Sequence, residues 1–201
     1  MAGKRRIGAE NSETRARILD AAEQVIRDEG YAAASTRRVA AVAGLQPSLV
    51  HYYFPTTEDV FLAVFRRGAE QSDALLDAAL AGADPVHALW RIFTDTSRNR
   101  LTIEFLAYAS HREGIRAEVA RHSADMRARQ AELMQRVLGD RIGAEHQATP
   151  EGLALILAGI GRALAMEAEL GIESGHDDAR RMVENWLDRV LSAQSEPAPT
   201  S

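Results

Sequence analysis

Cysteine is absent from the 201-residue chain, which removes disulfide staples and thiolate chemistry together. A reducing cytoplasm is the compartment such a composition suits. Aromatic residues make up only 5% of the sequence, so any cluster of them asks for a reason. Long apolar runs are missing as well. The most apolar stretch, Gly152 to Met166, has 15 residues and contains Arg162, short of the roughly 20 that cross a bilayer. The opening "MAGKRRIGAE" is positively charged but has no apolar segment behind it, so no secretory leader and no membrane partner are expected. No stretch alternates apolar and polar residues long enough for a strand, and no repeat recurs.

Catalytic signatures are lacking too. "GIGRAL" has a Gly-x-Gly, but Leu164 stands where a dinucleotide fingerprint needs Gly or Ala, and no strand precedes it. There is no phosphate-binding Walker loop, no Gly-x-Ser-x-Gly and no His-Glu-x-x-His. Glu118 and His122 sit four apart on one helix face; a surface ion pair suits them better than a metal. The expectation is a protein that is not an enzyme and holds no metal or other cofactor.

What the chain does have is Ala and Leu in abundance, with Pro and Gly as punctuation, a composition that favours helix. An all-α fold of about nine helices is expected, starting near Ser12, Thr36, Pro47, Thr57, Pro85, Leu101, Ile115, Pro150 and Asp177. Ser35 is placed to cap the second helix and Gly44 to stop it. Pro47 suits the first position of the third, and Pro55 prevents its continuation. Thr56 and Asp59 form a loose capping box for the fourth. The fifth is expected to run to Ser97 and the sixth from Leu101 to Arg112. Residues 1–10 and 193–201 read as mobile ends.

The formal net charge of −5, taken whole, disfavours a nucleic-acid partner. The charge is uneven, however. Residues 1–55 hold 8 Lys/Arg and 6 Asp/Glu, a balance of +2, and residues 56–201 hold 16 and 23, a balance of −7. A division into residues 1–55 and 56–192 follows.

Within 1–55, two short helices joined at Gly44 and preceded by a supporting helix are the ingredients of a helix-turn-helix. The second helix of such a unit reads base edges in the major groove. On it, Val50 and Phe54 face inward. Ser48, His51 and Tyr52 share the opposite face, with Leu49 and Tyr53 at its edges. Tyr and His can donate to phosphates or bases, Leu49 can meet a thymine methyl, and Arg37 can reach a guanine edge. Lys4, Arg5 and Arg6 could form an arm.

The run "TRARILDAAEQVIRDEGYAAASTRRVAAVAGLQPSLVHYYFPTTEDVFLAVF" resembles the N-terminal domain of TetR-family transcriptional regulators. The features that carry it are Ile18-Leu19-Ala21-Ala22, Gly30-Tyr31, Ser35-Thr36, Val39-Ala40, Ala43-Gly44-Leu45, Tyr53-Phe54 and Glu58. The resemblance implies a homodimer on a near-palindromic, double-stranded operator, released by a small effector held in the C-terminal domain. It also implies DNA contacts from Ser35, Thr36, Arg37, Gln46, Pro47, Ser48, Leu49, His51, Tyr52 and Tyr53. Gln46 replaces the usual Ser or Thr cap, His51 the usual Tyr, and Thr57 a common Lys. As a poor cap, Gln46 leaves amides at the helix start open to a phosphate or base. The competing class is an all-helical ligand carrier or small enzyme that retains a helix-turn-helix core without using it.

The remaining chain suggests two further surfaces. The eighth helix is apolar nearly all round, and the ninth carries Met182, Val183, Trp186, Leu187, Val190 and Leu191 at helical spacing. A dimer interface is therefore expected at Leu155, Gly159, Met182, Trp186, Leu187 and Val190. Trp90, Phe93, Phe105, Tyr108, His111, Met126 and Gln130 could line a mostly apolar effector pocket; plain core is the competing role for each.

Overall fold

The computed structural model describes residues 13–139 and 149–192, the side chains at 96–100 excepted. Among the described residues there are nine α-helices and no strand. They are α1 (Glu13–Glu29), α2 (Thr36–Ala43), α3 (Pro47–Tyr53), α4 (Thr57–Ala81), α5 (Pro85–Thr94), α6 (Thr96–Ala109), α7 (Glu113–Leu138), α8 (Pro150–Glu169) and α9 (His176–Ser192). A 3-10 turn, Tyr31–Ala33, follows α1. Ser12, the Lys4–Arg6 arm and the C-terminal tail lie outside the described residues.

The chain forms two compact units, one comprising residues 1–71 and 101–119, the other 72–100 and 120–201. The first unit thus takes in more than the helix-turn-helix: part of α4, the later part of α6 and the start of α7 belong with it. α4 and α7 each run from one unit into the other.

The local signals of the first unit act as caps. The Ser35 hydroxyl accepts the Arg38 N–H at 3.2 Å. Gly44 ends α2 at φ 65°, a left-handed conformation that costs glycine no Cβ clash. Thr56 and Asp59 complete a reciprocal capping box: the Thr56 hydroxyl accepts the Asp59 N–H at 3.1 Å, and the Asp59 carboxylate accepts the Thr56 N–H at 2.9 Å. The core gathers Ile18, Ala22, Val25 and Ile26 of α1, Val39 and Ala40 of α2, Val50 of α3 with Phe54 beyond it, and Val60, Phe61 and Val64 of α4. Phe61 stacks on Tyr108 with ring centroids 3.9 Å apart and meets Phe105 edge-on at 6.0 Å. Burial raises the Tyr108 hydroxyl's pKa above its ordinary value.

The second unit packs Leu76, Val86, Leu89, Trp90, Phe93, Leu133, Met134, Leu138, Leu153, Leu157, Val183 and Leu187. Asp84 caps α5 by accepting the His87 N–H, and the Thr149 hydroxyl caps α8 by accepting the Gly152 N–H at 3.0 Å. A methyl group added at Gly161 would collide with the backbone carbonyl of Phe93. Glycine is what permits α5 and α8 to approach there. The break between α5 and α6 comes earlier than the sequence suggested. α5 ends at Thr94, whose hydroxyl donates back to the Trp90 carbonyl at 3.0 Å, and Asp95 is extended at φ −71°, ψ 99°.

Candidate nucleic-acid interface

The candidate site is built by α2, the Gly44 turn and α3. Past the turn, the Leu45 N–H reaches back to the Ala40 carbonyl at 2.9 Å, and the Arg17 guanidinium donates to the Ala43 carbonyl at 2.9 Å. The end of α2 is therefore tied both to its own last turn and to α1. α3 is seven residues long, about 10 Å by the standard rise, so few side chains can reach a groove from it.

Burial sorts those side chains. Val50 and Phe54 are buried, and the Arg15 guanidinium lies 5.2 Å above the Phe54 ring. Gln46, Pro47, Ser48, His51 and Tyr52 are exposed, while Leu49 and Tyr53 are half-buried at the edges. Tyr52 is 49% exposed and meets Tyr53 edge-on at 5.3 Å. That contact orients a large side chain that would otherwise be loose.

On α2, Ser35 and Arg37 are exposed. Arg38, the neighbour of Arg37, is held by both oxygens of Glu29. The hydrogen bond from Arg38 is the main cause that lowers the Glu29 pKa; desolvation opposes it, and the Arg38 charge adds to the lowering. Of the two adjacent arginines, Arg37 is the one at the open start of α2.

Thr36 and His51 behave differently from what the motif suggested. Thr36 is buried, and its hydroxyl lies 3.3 Å from His51 Nε2. His51 Nδ1 lies 3.4 Å from the Pro55 carbonyl. A carbonyl can only accept, so Nδ1 is the donor there, and in the neutral ring Nε2 accepts from the Thr36 hydroxyl. Both ring nitrogens are engaged inside the unit. Gln46 has extended backbone and no side-chain cap bond, as a poor cap should. Its carbonyl, however, takes the Leu49 N–H at 2.9 Å, so one of the amides thought to be open is already used.

The residues proposed for an effector pocket divide between the units. Phe105 and Tyr108 belong to the first core, and His111 is exposed. Trp90, Phe93 and Met126 belong to the second core, and Gln130 is buried in the second unit. Of the dimer candidates, Leu155 and Met182 are exposed, and Gly159, Trp186 and Val190 are intermediate. Leu187 is fully buried among its own unit's residues. The Glu118 carboxylate accepts from Arg66 at 2.8 Å, and no cluster of three metal-ligating side chains occurs among the described residues. Sequence reasoning missed Arg17 and Arg15, which brace the site from α1. Their only sequence signal is helical spacing on that helix.

A short helix held by a glycine turn, anchored through Val50 and Phe54 and open through Ser48 and Tyr52, defines a helix-turn-helix domain. Residues 18–64 match the model of bacterial regulatory proteins of the tetR family. That match spans the helix-turn-helix region of the first unit. Over 79 residues it is 35% identical to the HTH-type transcriptional regulator BetI of Rhizobium meliloti strain 1021, an overlap of 37% of this chain and 39% of that protein. The chain therefore matches well under half the length of that relative. Two solved structures share the fold. A TetR-family transcriptional regulator from Rhodococcus sp. matches with a TM-score of 0.71 at 22% identity, covering 90% of this chain and 100% of that one. A transcriptional regulator from Saccharomonospora viridis in complex with choline matches with a TM-score of 0.73 at 19% identity, covering 88% and 96%. Among the described residues no helix is long and apolar enough to cross a membrane.

Proposed function

We propose that the protein is a cytoplasmic, homodimeric repressor that binds a palindromic operator through α2 and α3 and is released by a small molecule. The observation that carries this reading is the exposed set Arg37, Ser48 and Tyr52 on a helix-turn-helix whose other face is buried. A carrier or enzyme that merely kept the core would have no use for that set. Tyr52 and Ser48 would meet phosphates or base edges, and Arg37 a guanine edge or phosphate. Thr36 would act by holding His51. Gel shift with the promoters of its own gene and neighbouring genes tests the reading. A specific complex that survives unrelated competitor DNA is expected; loss of every complex to competitor would overturn it.

The homodimer reading draws support from α8. Leu155, Ile156 and Met166 are exposed along it, Leu170 is exposed at its C-cap, and Met182 of α9 is 68% exposed. A second copy would cover this apolar surface. Light scattering should give twice the chain mass; a stable monomer at micromolar concentration would contradict it.

Release would follow from a population shift. Two recognition helices of a dimer must match major grooves roughly 34–36 Å apart. An effector in the second unit, acting on α4 where that helix leaves the first, would favour a mismatched state. Moving the population from 1:99 to 99:1 requires the effector to prefer that state by about 5.5 kcal/mol. The relative crystallised with choline supports an effector as such.

A further inference from the structure

The turn between α1 and α2 is held from outside the helix-turn-helix. Gly30 closes α1 by donating its N–H to the Ile26 carbonyl at 3.1 Å. Its backbone then turns to φ 81°, ψ 166°, a region essentially reserved for glycine. After a glycine stop the next N–H commonly bonds back into the last turn of the helix. Here it points away from α1. The Tyr31 N–H donates to Glu104 Oε2 of α6 at 3.0 Å, across 73 residues of sequence. A Cβ at Gly30 would stand 3.7 Å from that same oxygen, so the carboxylate lies directly against the turn. Glu104 is half-buried, and a charged acceptor in such a place makes a stronger bond than it would in water.

The same helix also holds the Tyr31 ring. That ring meets Tyr108 of α6 edge-on with centroids 5.5 Å apart, and Tyr108 stacks on Phe61 of α4. α6 thus grips the turn twice, at its backbone through Glu104 and at its side chain through Tyr108. All of these residues belong to the first unit.

The grip extends to the start of α2. From Tyr31 the chain is bonded step by step: the Ala34 N–H donates to the Tyr31 carbonyl at 3.2 Å and the Ser35 N–H to the Ala33 carbonyl at 2.7 Å. Ser35 then caps α2, with Arg37 in the first turn. The Arg38–Glu29 pair also joins α1 and α2, but it is exposed, where such pairs hold weakly. α3 has other anchors, in Val50, in Phe54 and in Arg17 at the end of α2. The two helices of the motif are therefore aimed by different contacts.

We propose that Glu104 is a positioning residue for DNA binding: its carboxylate fixes the α1–α2 turn and, through it, the aim of Arg37, without itself touching DNA. This rests on the reading that α2 and α3 bind an operator. α6 starts among residues of the second unit and ends in the first, so the group that aims α2 stands on a helix that both units share.

Operator affinity and amide hydrogen exchange of the full chain test this with Glu104→Gln and Glu104→Met. Both variants keep the side chain's length and both remove its charge, but only Gln still offers the Tyr31 N–H an oxygen. Glu104→Gln should stay near wild type. Glu104→Met should bind about tenfold more weakly than Glu104→Gln, the size of one hydrogen bond whose donor is left unpaired. Added to Arg37→Ala, Glu104→Met should cost little more affinity, because both act at the start of α2; added to Tyr52→Ala on α3, its loss should multiply in full. The Tyr31 amide should be protected from exchange in wild type and Glu104→Gln, and open in Glu104→Met. The proposal is overturned if the two variants bind operator alike, if the loss multiplies with Arg37→Ala as fully as with Tyr52→Ala, or if the wild-type Tyr31 amide exchanges as fast as an open chain, a result that needs no variant to fold. Specific binding by wild type that Glu104→Met leaves intact sinks the positioning role alone. No specific binding by wild type sinks the regulator, and Tyr31 exchange then decides by itself whether Glu104 holds the turn.

Discussion

The two units place their arginines differently. In the first, Arg67 lies between Asp20 and Glu23, Arg66 on Glu118 and Arg38 on Glu29, while Arg37 stands exposed at the start of α2. In the second, Arg129 has two carboxylates, whereas Arg127 donates to the neutral side-chain oxygen of Gln130. Where a guanidinium is satisfied by its own unit it fastens helices, at a worth of about 0–1 kcal/mol for exposed pairs. Where it is not, it marks a surface that a partner completes. In the proposed function the partner outside the first unit is DNA.

Four substitutions test this division between what holds each unit and what serves a partner. Phe61→Ala should have the largest effect, because that ring is buried and contacts both Phe105 and Tyr108; a loss of about 3–5 kcal/mol is expected in chemical denaturation. Gly161→Ala is the counterpart in the second unit. The added methyl would meet the Phe93 carbonyl and should cost roughly 1–3 kcal/mol by overpacking, read as a lower denaturation midpoint. Ser35→Ala removes the cap on α2 and should cost about 1 kcal/mol while lowering operator affinity, because Arg37 sits in the first turn of that helix.

The smallest effect is one of pH. Burial acts to raise the Asp84 pKa, but hydrogen bonds from the His87 ring and N–H, with the charges of His87 and Arg91, outweigh it and leave it lowered. A lowered carboxyl contributes stability that is present above its ordinary value and lost as pH falls through the folded one. Asp84→Asn keeps a capping side chain but not the titration. The midpoints of wild type and variant should therefore converge as pH drops below 3.8, the ordinary aspartate value.

The same contrast explains what could be read from the chain. The first unit's helix ends are written in local chemistry, by Ser35, Gly44, Pro47 and the Thr56–Asp59 box, and the expected bounds of α2, α3 and α4 match the structure. The break at Asp95 has no Gly or Pro beside it. It depends on Thr94 turning back on Trp90, so it was placed too late. Helical spacing assigned Leu187 to a dimer interface and Phe105 and Trp90 to an effector pocket. It is silent on what covers them. Leu187 is buried by its own unit, and Phe105 and Trp90 belong to different cores. Thr36 reads as part of an exposed motif, yet its side chain points to His51, a contact fifteen residues away in sequence that no local pattern encodes.

The central claim is that the exposed face of α2 and α3 reads DNA. The most direct test is the operator affinity of Arg37→Ala combined with Tyr52→Ala, in a protein whose helicity and unfolding midpoint match wild type. Each base or phosphate contact of this kind is worth about 1–3 kcal/mol, so a loss of tenfold or more in affinity is expected with the fold intact. Unchanged affinity in that double variant would contradict the account.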